Sequence, residues 1–213
     1  MKIKILTNSL TPKELINEYC TSVSGFSLED ANKYDMIVDL TVGLTNEKIH
    51  LLQELNHEYK GIIISDTSTC WGENLEAKFQ NLEACISLCF YSPKDNHEIY
   101  LKNKSSKEAK EALDYLFNLY EKTYVEVKTA GLGFTYPRVV SMIINEAFFS
   151  LEDELASPED IDTAMKYGVN YPHGPFEWSE KIGLKIVDTL LTELYSLTGD
   201  PRYRSSLKLK LTK

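Results

Sequence analysis

The sequence predicts an α/β domain with a largely parallel sheet, followed by an all-helical domain. Two observations carry this. Up to residue 128, short apolar runs of strand type alternate with helix-starting segments, the order that builds a parallel sheet. From Pro137 onward, apolar residues recur at helical spacing only. The change falls within residues 129–136, which contain Gly131-Leu132-Gly133.

Residues 2–6 alternate like a short strand, and Thr11-Pro12-Lys13-Glu14 reads as a capping box starting a helix toward Cys20. Residues 34–40 (YDMIVDL) form a buried strand in type, and residues 47–55 the helix after it. Residues 61–65 (GIIIS) and 86–91 (ISLCFY) are two further buried strands. Ser105-Ser106-Lys107-Glu108 opens a long helix with Ala109, Ala112, Leu113, Leu116 and Leu119 on one face, and residues 124–128 are the last strand. In the second half, Val140, Ile143, Ile144, Ala147, Phe148, Leu151 and Leu155 make an apolar stripe too wide for a helix with a single neighbour. That width predicts a dimer, since such a helix needs several partners.

The chain has 213 residues, 43% hydrophobic and 26% charged, an ordinary globular composition. A net charge of -9 argues against nucleic acid as a partner. No apolar run approaches the ~18 residues of a membrane span, and the start has too short an apolar core for a signal peptide, so a cytoplasmic protein is expected. Cys20, Cys70, Cys85 and Cys89 form neither a zinc pattern nor a disulfide framework, and no metal is expected.

The most informative stretch is residues 156–184, ASPEDIDTAMKYGVNYPHGPFEWSEKIGL. Ser157 can cap a helix, Pro158 suits its first position, and Glu159 and Asp160 favour the positive end of its dipole. Gly168 ends that helix and a rigid Tyr171-Pro172-His173-Gly174-Pro175-Phe176-Glu177 corner follows. This string resembles the C-terminal domain of the L-3-hydroxyacyl-CoA dehydrogenases, which usually read ASPEDIDxAMxxGxGYPMGPFEL. The resemblance runs from residue 34 to residue 204 and is densest from residue 131. It implies a truncated Rossmann-like domain over residues 1–130 and, over 131–213, a helical domain of the 6-phosphogluconate-dehydrogenase-C-terminal type that makes the family's dimer. It also implies NAD as cofactor and an acyl-CoA-type ligand.

Several positions depart from that pattern. The family's G-x-G-x-x-G should follow the first strand, but Thr7-Asn8-Ser9-Leu10-Thr11-Pro12 stands there, with no glycine before Gly25, so NAD binding is doubtful. Gly131-Leu132-Gly133 lacks the third glycine and reads as a hinge. Asp39 falls on the family's carboxylate beside the nicotinamide, and Leu44 on the lysine five residues later. Ser68 falls on the serine that touches substrate. Cys89-Phe90-Tyr91-Ser92-Pro93 falls on His-Phe-Phe-Asn-Pro, so Cys89 replaces the catalytic base and Ser92 an asparagine on the cofactor side. A thiol near pKa ~8.5 is a poor substitute for a histidine near ~6.5. Cys89 reads as a buried, inert thiol on a strand, with no nearby base to make it a nucleophile. Glu98 falls, after a short gap, on the carboxylate that orients the histidine, and Pro137 on the asparagine of PGFxxNR.

His97 and His173 are the alternative bases. His97 reads as a loop histidine in the polar turn after Lys94-Asp95-Asn96, and His173, in place of the family's methionine, as a structural histidine without an evident partner. The run Arg202-Tyr203-Arg204 matches the segment before the family's final helix, whose Gly-rich closing motif is not found. Three readings follow: an acyl-CoA-binding homologue with weak or lost oxidoreductase activity, a working dehydrogenase with non-standard residues, and a structural or regulatory dimer.

Overall fold

The computed structural model describes residues 1–104 and 106–213; Ser105, expected at the start of the long helix, lies outside the described residues. The chain divides into two compact units, Met1–Phe134 and Thr135–Lys213. Residues 131–134 therefore belong to the first unit rather than the second: Phe134 and Ala130 sit in its core, Leu132 bridges Trp71, and Gly133 N–H donates to the Cys70 carbonyl at 3.0 Å.

The first unit is a seven-stranded sheet made of β1 (Ile3–Thr7), β2 (Cys20–Ser22), β3 (Met36–Asp39), β4 (Ile62–Asp66), β5 (Leu82–Ile86), β6 (Asn96–Leu101) and β7 (Thr123–Glu126). Its order is β2-β1-β3-β4-β5-β6-β7. Neighbours pair in parallel except β5 with β6. Helix α1 (Thr45–Glu58) links β3 to β4 and α2 (Gly72–Lys78) links β4 to β5. They cover one face through Leu52, Leu55, Leu75 and Phe79 on Leu6, Ile37, Ile63 and Leu82. Helix α3 (Lys107–Leu119) buries Ala109, Ala112, Leu113, Leu116 and Phe117, and the Ser106 side chain caps it by accepting from Ala109 N–H at 3.2 Å.

Three local expectations change. The Thr11 capping box starts only a 3-10 turn, Lys13–Leu15, which no side chain caps: the Thr11 oxygen accepts from Asn8 N–H at 3.0 Å instead, and its proton goes to the Leu40 carbonyl at 2.7 Å. Strand β5 begins at Leu82 and ends at Ile86, so residues 87–91 form a turn, closed by Phe90 N–H to the Ser87 carbonyl at 3.3 Å. Cys89 thus lies in that turn and not on a strand. Finally, β6 was not expected. The polar turn at Lys94-Asp95 is followed by NHEIYL, whose His97, Ile99 and Leu101 are buried on one face at the two-residue period of a strand.

The second unit holds α4 (Tyr136–Glu152), α5 (Pro158–Gly168), α6 (Pro175–Ile182), α7 (Leu184–Thr198) and α8 (Leu207–Thr212). Helix α4 touches all four others, so the wide stripe finds its partners inside the unit. It stops at Glu152, and Leu155, expected on the stripe, is 72% exposed. Ser157 caps α5 by accepting from Asp160 N–H at 3.2 Å. The YPHGPFE corner has a plain physical purpose. The buried Asp162 carboxylate accepts from Phe176 N–H (2.8 Å) and Glu177 N–H (3.1 Å), capping α6 from the neighbouring helix. A Cβ on Gly174 would collide with that carboxyl group. No helix among the described residues is long and apolar enough to cross a membrane.

Candidate functional site

Open α/β sheets bind ligands beyond the carboxyl ends of their strands, where the strand order reverses. Here that point lies between β1 and β3. The ends of β3 and β4 and the turn after β5 place a cluster of buried polar side chains next to it.

Asp39 ends β3 and is fully buried. Its Oδ1 accepts from Thr41 N–H (2.9 Å) and the Thr41 hydroxyl (2.6 Å), and its Oδ2 from Lys48 Nζ (2.6 Å) and the Ser65 hydroxyl (2.7 Å). Lys48 comes from α1 and is itself 1% exposed. Burial pushes its ammonium pKa down, but Asp39, Cys70 and Asp66 together pull it up, and the net direction is upward. Lys48 is therefore held as the cationic partner of Asp39, and it was not singled out in the sequence. Its signal was available: it shares a helix face with Leu52 and Leu55, four and seven positions on, and a lysine on an apolar stripe needs a buried anion. Leu44, on which the family's lysine falls, lies just before α1.

Asp66 ends β4. Its Oδ1 accepts from Ser68 N–H (3.0 Å) and the Ser68 hydroxyl (2.5 Å), and its Oδ2 from Cys89 N–H (2.6 Å). Burial raises the Asp66 carboxyl pKa, against the opposing pull of Lys48 and these bonds. The Cys89 thiol faces the Leu40 carbonyl at 3.4 Å, and burial followed by the nearby Asp66 charge pushes it well above the ordinary thiol range. At neutral pH it is a neutral thiol, neither proton acceptor nor nucleophile. Asp39, Ser68 and Cys89 thus fall in two adjacent buried groups, one on Asp39 with Lys48 and Ser65 and one on Asp66, with Lys48, Ser65 and Asp66 as unforeseen members.

In the first unit, Ser92, Glu98 and His97 make other bonds. The Ser92 hydroxyl donates to the Asn96 carbonyl at 3.0 Å within its own turn. Glu98 is half-buried on β6 and its N–H donates to the Ser87 hydroxyl at 2.9 Å. His97 is buried on the opposite face of that strand, its Nδ1 3.0 Å from the Ser87 carbonyl and its ring against Phe117. It is no loop histidine. Burial lowers its pKa, and its Nε2 finds no hydrogen-bond partner among the described residues. Pro137 and His173 belong to the second unit. Pro137 occupies the first turn of α4, where a missing N–H costs nothing. His173 does have partners: its Nδ1 lies 3.8 Å from Glu177 Oε2 and its ring meets Trp178 edge-on. Trp178 is itself buried.

At the switch point, a crevice of about 240 Å³ is lined by Asn8, Thr41, Val42, Gly43, Glu47 and Lys48, among others. Asn8 spans it. Its Nδ2 donates to the Val42 carbonyl (2.7 Å), while its Oδ1 accepts from Val42 N–H (3.2 Å) and Leu10 N–H (3.1 Å). No group of three or more His, Cys, Asp or Glu side chains among the described residues could hold a metal ion.

This sheet, with its mixed edge and its appended helical unit, defines a Rossmann-like protein carrying a dehydrogenase-type helical domain. The family model for the 3-hydroxyacyl-CoA dehydrogenase C-terminal domain matches residues 133–213. The 3-hydroxybutyryl-CoA dehydrogenase of Clostridioides difficile is 30% identical over 207 residues, covering 94% of this chain and 73% of that protein. The 3-hydroxyadipyl-CoA dehydrogenase of Escherichia coli (strain K12) is 49% identical over 67 residues, 32% of this chain and 14% of that one. Among solved structures, an (S)-3-hydroxybutyryl-CoA dehydrogenase from Ralstonia eutropha superposes with a TM-score of 0.65 at 27% identity, covering 90% of this chain and 68% of that chain. The chain belongs to the 3-hydroxyacyl-CoA dehydrogenase family.

Proposed function

We propose that this protein binds an acyl-CoA or a related ligand and has weak or lost NAD-dependent oxidoreductase activity. The observation that carries the reading is position 89. The family's base falls on a thiol that is buried, kept neutral by burial and by Asp66, and turned toward the Leu40 carbonyl. Ser68, at the substrate-touching position, spends its hydroxyl on Asp66. Losing a positioned general base costs ~10²–10⁴ in rate. Neither alternative histidine supports an active enzyme: His97 is sealed between β6 and α3, and His173 is engaged with Glu177 and Trp178.

The protein is further read as a cytoplasmic homodimer formed through its helical unit, where Tyr167, Val169, Leu207 and Leu211 leave apolar surface exposed. A titration with acetoacetyl-CoA tests the main reading, with binding followed by fluorescence and turnover by NADH consumption. The expected result is saturable binding with turnover at least ~10²-fold below ordinary enzyme rates. Turnover at ordinary rates, or no binding of the CoA ester, would overturn it.

A further inference from the structure

We propose that the dinucleotide crevice of this chain is closed by its own first loop, with Asn8 as the closing residue, so that the protein acts without a nicotinamide dinucleotide. The inference deepens the functional reading above and rests on it for the identity of the cofactor that this sheet would otherwise hold.

A dinucleotide crosses an open sheet where the strand order reverses. Its pyrophosphate lies against a glycine-rich loop and on the N-terminal turn of the helix after the first strand. The residues present do not fit that group, for three independent reasons. First, a side chain already occupies the crossing. The Asn8 amide pairs with both backbone groups of Val42, as a neighbouring strand would, and also takes Leu10 N–H. Thr11 adds a second tie, accepting from Asn8 N–H at 3.0 Å while donating to the Leu40 carbonyl. The N–H groups of Asn8, Leu10 and Val42, which could otherwise face a phosphate, are thereby engaged by the Asn8 and Thr11 side chains. Second, β1 leads into the 3-10 turn Lys13–Leu15 and then into extended backbone at Ile16. The row of unpaired N–H groups at the start of an α-helix, which would hold the phosphates, is replaced by a turn too short to supply it. Third, the space and charge are wrong. The crevice of about 240 Å³ is below the ~300–1,000 Å³ of ordinary small-molecule sites. Its lysine, Lys48, is already paired with Asp39, and the Glu47 carboxylate beside it would repel a phosphate.

The tie is therefore an internal substitute: it holds the ends of β1 and β3 together where a bound ligand would otherwise bridge them. The test uses the full chain. NADH is titrated by calorimetry up to ~1 mM, and thermal unfolding is followed for wild type, Asn8→Ala and Asn8→Asp. Closure predicts no saturable NADH heat and no rise in Tm with NADH. It also predicts a Tm drop of about 4–8 °C in both variants, from the lost amide donor and the unpaired Val42 carbonyl. Saturable NADH binding by wild type, or an unchanged Tm in both variants, would overturn it. The acetoacetyl-CoA titration of the same sample judges the proposed function separately, because closure is decided by NADH and Asn8 alone.

Discussion

Replacing Lys48 by methionine removes the buried ammonium while keeping most of the side-chain volume. Asp39 then retains three of its four donors, Thr41 N–H, the Thr41 hydroxyl and the Ser65 hydroxyl, but stands as an uncompensated charge in the core. Breaking a buried pair from one side costs about 3–5 kcal/mol. The three surviving bonds put the expected cost near the lower end, about 3 kcal/mol. With a urea dependence of about 2 kcal/mol per M, the unfolding midpoint falls by about 1.5 M. The double variant Asp39→Asn, Lys48→Met removes both charges and keeps an oxygen for the hydroxyl donors. It should regain at least half of that shift, because a neutral replacement of a buried pair is often close to neutral in stability. Circular dichroism across a urea series measures both. A single-variant shift below about 0.5 M, or a double variant no more stable than the single one, would refute the view that Lys48 and Asp39 compensate each other.

His97 has a pKa lowered by burial in the folded state, so unfolded chains bind the proton first as pH falls. Stability should drop below about pH 6.5, with a slope approaching 1.4 kcal/mol per pH unit, and the His97→Leu variant should lose that slope; urea midpoints from pH 5 to 7.5 decide. Gly174→Ala should cost about 1–3 kcal/mol, because the new methyl group displaces the Asp162 cap of α6; equal stability of variant and wild type would show that the corner yields easily. The thiols should separate sharply. Cys70, Cys85 and Cys89 are buried, and burial lifts the Cys85 pKa to about 12, while Cys20 is only half-buried. A disulfide reagent should therefore titrate Cys20 quickly in the native protein and all four cysteines after unfolding. Fast native labelling of Cys89 would contradict its environment.

What was legible in the sequence follows the range of the forces involved. Strands β1, β3, β4 and β7 and helices α3, α4 and α5 declare themselves through local apolar pattern and capping, and the structure has them within a few residues. The Thr11 helix fails for the opposite reason. Its local signal is correct, but the hydroxyl oxygen accepts from Asn8 N–H and its proton goes 29 positions away to Leu40, so the side chain ties the loop to the sheet and caps no helix. Strand β6 hides because His97 stands at the first core-facing position and Asn96 and Glu98 flank it; only Ile99 and Leu101 behave as core residues are expected to. The site is the least legible part, since it consists of pairs far apart in the chain: Asn8 with Val42, Asp39 with Ser65, Asp66 with Cys89.

Those long-range pairs also connect the missing glycine loop to the missing histidine. Leu40 O receives the Thr11 hydroxyl from the first loop and faces the thiol of Cys89 from the turn after β5. One carbonyl at the end of β3 is thus shared between the position that would bind pyrophosphate and the position that would hold the base. A histidine at 89 would have to fit where the thiol is almost fully buried, beside an Asp66 that accepts from Cys89 N–H and from the Ser68 hydroxyl. Restoring it alone, as Cys89→His, therefore places an imidazole in a sealed core. On the proposed reading, Cys89→His alone should leave NADH-dependent turnover unchanged, and a rise in turnover from that single variant would count against it.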